Sequence, residues 1–75
     1  MPIASGFIVV LNDEEIDRIK NELIVNNVEI IRAEDKKIVY LIERPTMQEI
    51  EHVLKFMKSI DGIENVYLAY YTLSD

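Results

Sequence analysis

The sequence predicts an α+β fold with the element order β-α-β-β-α-β, and three observations carry that prediction. Four short runs, Ile3–Leu11, Val28–Ala33, Lys37–Glu43 and Asn65–Leu73, have the composition of strands and are apolar on both faces. Two segments between them, at 13–25 and 47–60, carry apolar residues at helical spacing. Each segment opens on a capping pattern and closes on a small polar stop.

The first strand ends in Leu11, and Asn12 follows as a candidate N-cap, with Glu15 completing a capping box. Leu11 and Ile16 are spaced as a hydrophobic staple, and Asp13, Glu14 and Glu15 suit the positive end of the helix dipole. Ile16, Ile19 and Leu23 form the buried stripe, with Ile24 at its edge. Asn26-Asn27 is the stop, because Asn tolerates the left-handed conformation. The next two strands flank Glu34-Asp35-Lys36-Lys37 and read as a hairpin. Arg44-Pro45-Thr46 breaks the third strand, and Thr46 with Glu49 forms a second capping box. Ile50, Val53, Leu54 and Met57 make the second stripe, widened by Phe56 and Ile60. Asp61-Gly62 ends that helix, and the last strand follows.

This order in 75 residues points to a ferredoxin-like sandwich: an antiparallel sheet in spatial order 4-1-3-2, with both helices on one face. Alternation divides each strand into two faces. The staple at Leu11 places Phe7, Val9 and Leu11 inside and Ala4, Gly6, Ile8 and Val10 outside. Glu43 takes Val39 and Leu41 outward, and Glu29 takes Ile31 and Ala33. Ile63 and Val66 point inward, so Tyr67, Ala69 and Tyr71 face out, and Leu68 and Tyr70 face in. Two helices cover only one face of such a sheet. The other is an apolar patch, and an exposed patch of that size marks an interaction surface. A binding module is therefore expected ahead of an enzyme.

Composition narrows the partner. A chain this short makes one domain, spanning residues 1–75, with a net stability of roughly 5 kcal/mol or somewhat more. It has no cysteine, so neither disulfides nor thiolate metal sites brace it. The hydrophobic content of 49% is that of a folded globule. No apolar run approaches the ~20 residues that span a bilayer, and no signal-peptide pattern opens the chain, so a cytoplasmic location and no direct membrane insertion are expected. Fourteen acidic against eight basic residues give a net charge of −6. That argues against nucleic acid, which needs a basic stripe, and suits a cationic partner; simple solubility explains it equally well.

Candidate sites for chemistry are sparse. His52, the single histidine, sits on the second helix off its buried stripe and has no second His or Cys to share a metal. It reads as a solvated surface residue. Glu14-Glu15 is explained by the helix start and Glu34-Asp35 by the turn. Ser5, Ser59 and Ser74 have no base nearby in sequence. No catalytic residue, metal site or cofactor site is expected. Gly6 within the first strand fits either a docking groove on the open face or a bulge. Tyr67, Tyr70 and Tyr71 resemble the aromatic platform of an RNA-binding sheet, but the basic surround is missing. A peptide suits them better, since Tyr offers large contact area at low entropic cost.

At the residue level the chain resembles the NapD family. The resemblance covers nearly the whole chain. It rests on Ala4-Ser5-Gly6-Phe7-Ile8-Val9-Val10, on the strand ending in Glu43, and on Ile60-Asp61-Gly62-Ile63 followed by Val66-Tyr67-Leu68-Ala69-Tyr70. Tyr71 stands where family members often have His. The resemblance implies a small cytoplasmic chaperone that binds no cofactor. Such a chaperone binds the twin-arginine signal peptide of NapA, the catalytic subunit of the periplasmic nitrate reductase. It holds export back until the molybdenum cofactor is inserted. The expected peptide-binding surface is the outward set Gly6, Ile8, Val10, Val39, Leu41, Tyr67, Ala69 and Tyr71. The alternative readings are an ACT-like regulatory domain that binds a small molecule, and an oligomerisation module whose open face pairs with its own copy.

Overall fold

In a computed structural model, which describes residues 2–72, the chain folds as β1 (Ile3–Val10), a 3-10 turn (Asp13–Glu15), α1 (Ile16–Val25), β2 (Glu29–Glu34), β3 (Lys37–Glu43), α2 (Met47–Ser59) and β4 (Ile63–Thr72). The strands form one antiparallel sheet in the order β2-β3-β1-β4, the ferredoxin-like arrangement. Leu73, placed in the last strand from sequence, lies outside the described residues.

The helix ends follow local chemistry, with one exception. Thr46 caps α2, its hydroxyl accepting from the Glu49 N–H at 3.2 Å. The α1 end is a Schellman motif: Asn27 takes φ 62°, Val28 N–H donates to the Leu23 carbonyl, and Asn27 N–H to that of Ile24. Val28 and Leu23, the apolar pair of that motif, are both buried. The exception is the start of α1. Asn12 makes no side-chain cap; its carbonyl accepts from Glu15 N–H, and the Glu15 carboxylate instead holds Arg18 at 2.6 Å. Arg18 also donates to the Asp61 carbonyl at 2.7 Å, tying α1 to the turn before β4. In that turn Ile63 N–H bonds the Ile60 carbonyl and Gly62 takes φ 97°, a position that favours glycine.

The core lies between the helices and one sheet face. Ala4, Ile8 and Val10 of β1 and Ile38, Tyr40 and Ile42 of β3 meet Ile19 and Leu23 of α1 and Ile50 and Met57 of α2. The β3 faces are as expected from Glu43. Those of β1 are inverted: Ile8 and Val10 are 0% exposed, and Phe7 and Val9 lie half-buried on the opposite face. The staple behind the expectation does not form. The strand stops at Val10, and Leu11 is 51% exposed, held by its backbone N–H to the Gly62 carbonyl.

Bulges account for the other differences. Ala69 is an extra residue opposite the Ser5/Gly6 step, and Ile31 is extra opposite the Tyr40/Val39 step. Beyond each bulge the alternation changes phase. Residues directly opposite in an antiparallel pair share a face. Tyr71, opposite buried Ala4, is therefore on the helix side, and Tyr70, opposite Ser5, is on the open side. Ala33, opposite Ile38, likewise belongs to the helix side and not the open one. Leu68, opposite Gly6, stays on the helix side as expected.

Gly6 has an interior job. A Cβ there would run into the Tyr67 carbonyl and stand 2.9 Å from the Tyr40 hydroxyl. Tyr40, opposite Gly6 in the ladder, reaches over it and donates to the Tyr67 carbonyl at 2.9 Å. Of the two sequence readings of Gly6, the bulge is the one the structure contains, and no docking groove opens there.

Burial pushes the Tyr40 hydroxyl up to about 12. The neutral form is the one the fold holds, so its contribution is full below about pH 10, the value for an unfolded Tyr. It is lost as pH rises from about 10 through 12. Stability is therefore expected to fall across that window. In Tyr40→Phe the late tyrosinate absorbance step should vanish. An unchanged absorbance titration in the variant would show that Tyr40 is not the late-titrating group.

Candidate functional site

The sheet face away from the helices is covered by no element of the chain among the described residues. Its centre is built by β1 and the two strands that flank it, β3 and β4. Phe7 and Tyr67 are opposite in the β1–β4 ladder, and their rings stack with centroids 4.8 Å apart. Val39 lies opposite Phe7 on the other side, and Leu41 opposite Ser5. Val9 and Tyr70 complete a continuous, mainly apolar surface, on which Tyr67 is 45% exposed. Toward the β2–β3 hairpin the surface dips into an open concavity of about 530 Å³, with Val9, Val39, Arg32 and Lys37 among its walls.

Charge is arranged at the ends of this face. At the hairpin end, the Lys37 ammonium stands 4.7 Å from the Phe7 ring centroid, a cation–π contact. Arg32 is paired with Glu34 at 2.7 Å, beside Asp35 and Lys36. At the other end, Glu29 lies opposite Leu41, and Glu43 opposite Ile3. Both are exposed, and among the described residues no cation pairs with either carboxylate.

Of the residues expected on this face, the structure brings together Val39, Leu41 and Tyr67. Ala69 is exposed but occupies the bulge. Gly6, Ile8 and Val10 are buried beneath the helices, and Tyr71 is on the helix side at the sheet edge. Phe7, Val9 and Tyr70 are the members that the sequence reading missed. One signal for the β1 face was available: Ser5 is the polar member of the Ile3, Ser5, Phe7, Val9 set, whereas Ala4, Gly6, Ile8 and Val10 include none.

The candidate chemical residues are dispersed. His52 is exposed on α2, Ser5 is on the open face, and the Ser59 hydroxyl donates to the Phe56 carbonyl at 2.6 Å. Ser74 lies outside the described residues. Among the described residues, no three His, Asp or Glu side chains are grouped to hold a metal ion. No helix of the described residues is long and apolar enough to cross a membrane.

The chain is thus a small ferredoxin-like α+β domain with one sheet face left uncovered among the described residues. Comparison with family models matches residues 3–74 to the NapD protein family. The chain belongs to the NapD family, whose members are chaperones of nitrate reductase maturation and not enzymes. Searches of curated proteins and of solved structures returned no match.

Proposed function

We propose that this protein is the cytoplasmic chaperone that binds the twin-arginine signal peptide of a nitrate reductase catalytic subunit, NapA, and delays its export until the cofactor is in place. The observation that carries the reading is the uncovered apolar face of Phe7, Val9, Val39, Leu41, Tyr67 and Tyr70 on a NapD chain. A twin-arginine signal is cationic at its start and apolar after it. Folded as a short amphipathic helix, it lays its apolar side on this face, a helix-in-groove mode of recognition. While it lies there it is sequestered from the export machinery. Apolar burial sets the affinity. The exposed charge pairs contribute only ~0.2–1 kcal/mol each and mainly assist encounter and orientation.

Calorimetric titration of a synthetic twin-arginine signal peptide, with amide shifts followed by NMR, tests this. Binding is expected with shifts on β1, β3 and β4 and modest weakening by salt. Tyr67→Asp should weaken binding at least tenfold while the spectrum stays that of a folded protein, because the Tyr67 side chain is half exposed. No binding at high micromolar peptide, or shifts confined to the helices, would refute the reading.

A further inference from the structure

The open face is apolar in the middle and carries charge of opposite sign at the two ends of β3, which bears on how a helical ligand lies. We infer that the bound helix runs antiparallel to β3, with its N-terminal, cationic end over Glu29 and Glu43 and its C-terminal end over Lys37. This rests on the signal-peptide reading above. Lys37, Val39, Leu41 and Glu43 alternate on the open side of β3, so the strand itself carries a cation at one end, an apolar middle and an anion at the other. Glu29, opposite Leu41, is a diagonal neighbour of Glu43, which places the two carboxylates roughly 7–8 Å apart at their backbones. Arg44, next to Glu43 in sequence, pairs with neither carboxylate and donates instead to the Glu43 carbonyl at 2.8 Å and the Asn26 carbonyl at 2.9 Å.

Two features of a ligand helix match this axis independently. Its arginines precede its apolar stretch, so they meet the carboxylates when the apolar stretch sits on Val39, Phe7 and Tyr67. Its dipole is positive at the N-terminus and negative at the C-terminus, which again favours Glu43 at the start and Lys37 at the end. The lengths agree. Six steps of strand from Lys37 to Glu43 span about 20 Å, and about 13 residues of helix cover that distance. The arginine pair and the first half of the apolar stretch would fill it. In the reversed pose the arginines meet the hairpin end, where Lys36, Lys37 and Arg32 outnumber Glu34 and Asp35 and the Glu34 carboxylate is already paired with Arg32.

The test uses the whole chain and a synthetic twin-arginine peptide carrying a nitroxide spin label at one end or the other. The N-terminal label should broaden the amides of Ile3, Glu29 and Glu43, and the C-terminal label those of Lys37, Val9 and Asn65. In parallel, the surface double variant Glu29→Gln with Glu43→Gln should weaken the arginine peptide roughly fivefold. It should weaken a peptide with both arginines replaced by glutamine far less, by no more than the helix-dipole contribution at Glu43. Binding with the two broadening patterns exchanged, or with both labels acting equally at both ends, overturns the orientation and leaves the binding reading standing. An equal loss for both peptides in the double variant also overturns it. No binding of either labelled peptide overturns the signal-peptide reading itself.

Discussion

Ile8→Asp is expected to abolish the native state, whereas Phe7→Asp, one position earlier, is expected to remain folded. Ile8 is 0% exposed at the centre of the sheet, surrounded by the helix-side core. Removing its side chain costs about 2–5 kcal/mol by itself. Burying a carboxyl with no partner adds several kcal/mol more. The sum reaches or exceeds the roughly 5–15 kcal/mol of a typical fold, and a chain this small sits near the low end. Phe7 loses its stacking on Tyr67, but its replacement faces solvent on the open side. Far-UV circular dichroism and amide dispersion read both variants directly. A folded Ile8→Asp together with an unfolded Phe7→Asp would mean that β1 presents its other face to the helices.

Leu23→Ala is expected to cost about 2–5 kcal/mol in denaturant unfolding, and Leu54→Ala about 1–2 kcal/mol. Both sit in the middle of a helical apolar stripe, and sequence reasoning alone would treat them alike. The structure separates them. Leu23 is 0% exposed and is also the apolar contact of the Schellman turn against Val28, so its loss opens a cavity and loosens the α1 end. Leu54 only packs against the edge of the core and is partly exposed. Equal midpoints for the two variants would contradict this difference in burial.

The contrast between neighbours marks where sequence reasoning works. Element order, sheet order, the Thr46 cap and the Asn27 stop were legible because each rests on local chemistry: a hydroxyl before a helix, an Asn able to take positive φ, a turn between two apolar runs. The faces of β3 were legible because Glu43 is a charged marker at its end. The faces of β1 were not. Both sets in that strand are apolar, and the one anchor, the Leu11–Ile16 staple, depended on a strand one residue longer than the real one. The bulges at Ile31 and Ala69 could not be read at all. An extra residue is a property of the pairing, set by the partner strand's register, and it carries no residue-level signature here. Hence Tyr70 and Tyr71 exchanged faces, and the candidate site lost Tyr71 and acquired Tyr70. The Asn12 capping box failed for a different reason: the Glu15 N–H goes to the Asn12 carbonyl in a 3-10 turn, and the Glu15 carboxylate goes to Arg18, which is also tied to a carbonyl 43 positions away.

The pairing of β1 with β4 has a consequence for biosynthesis. Ile3 pairs with Thr72 and Val10 with Ile63, so β1 leaves the ribosome well before the strand it pairs with. Until residues 63–72 emerge, one edge of β1 is unpaired, and the Phe7 side of the open face lacks Tyr67 and Tyr70. Non-local pairing of this kind is slow to form, because the long loop must close before its contacts reward it. The nascent protein therefore completes its open sheet face in a single late step, and a ribosome stalled before β4 displays a chain in which that face is unfinished.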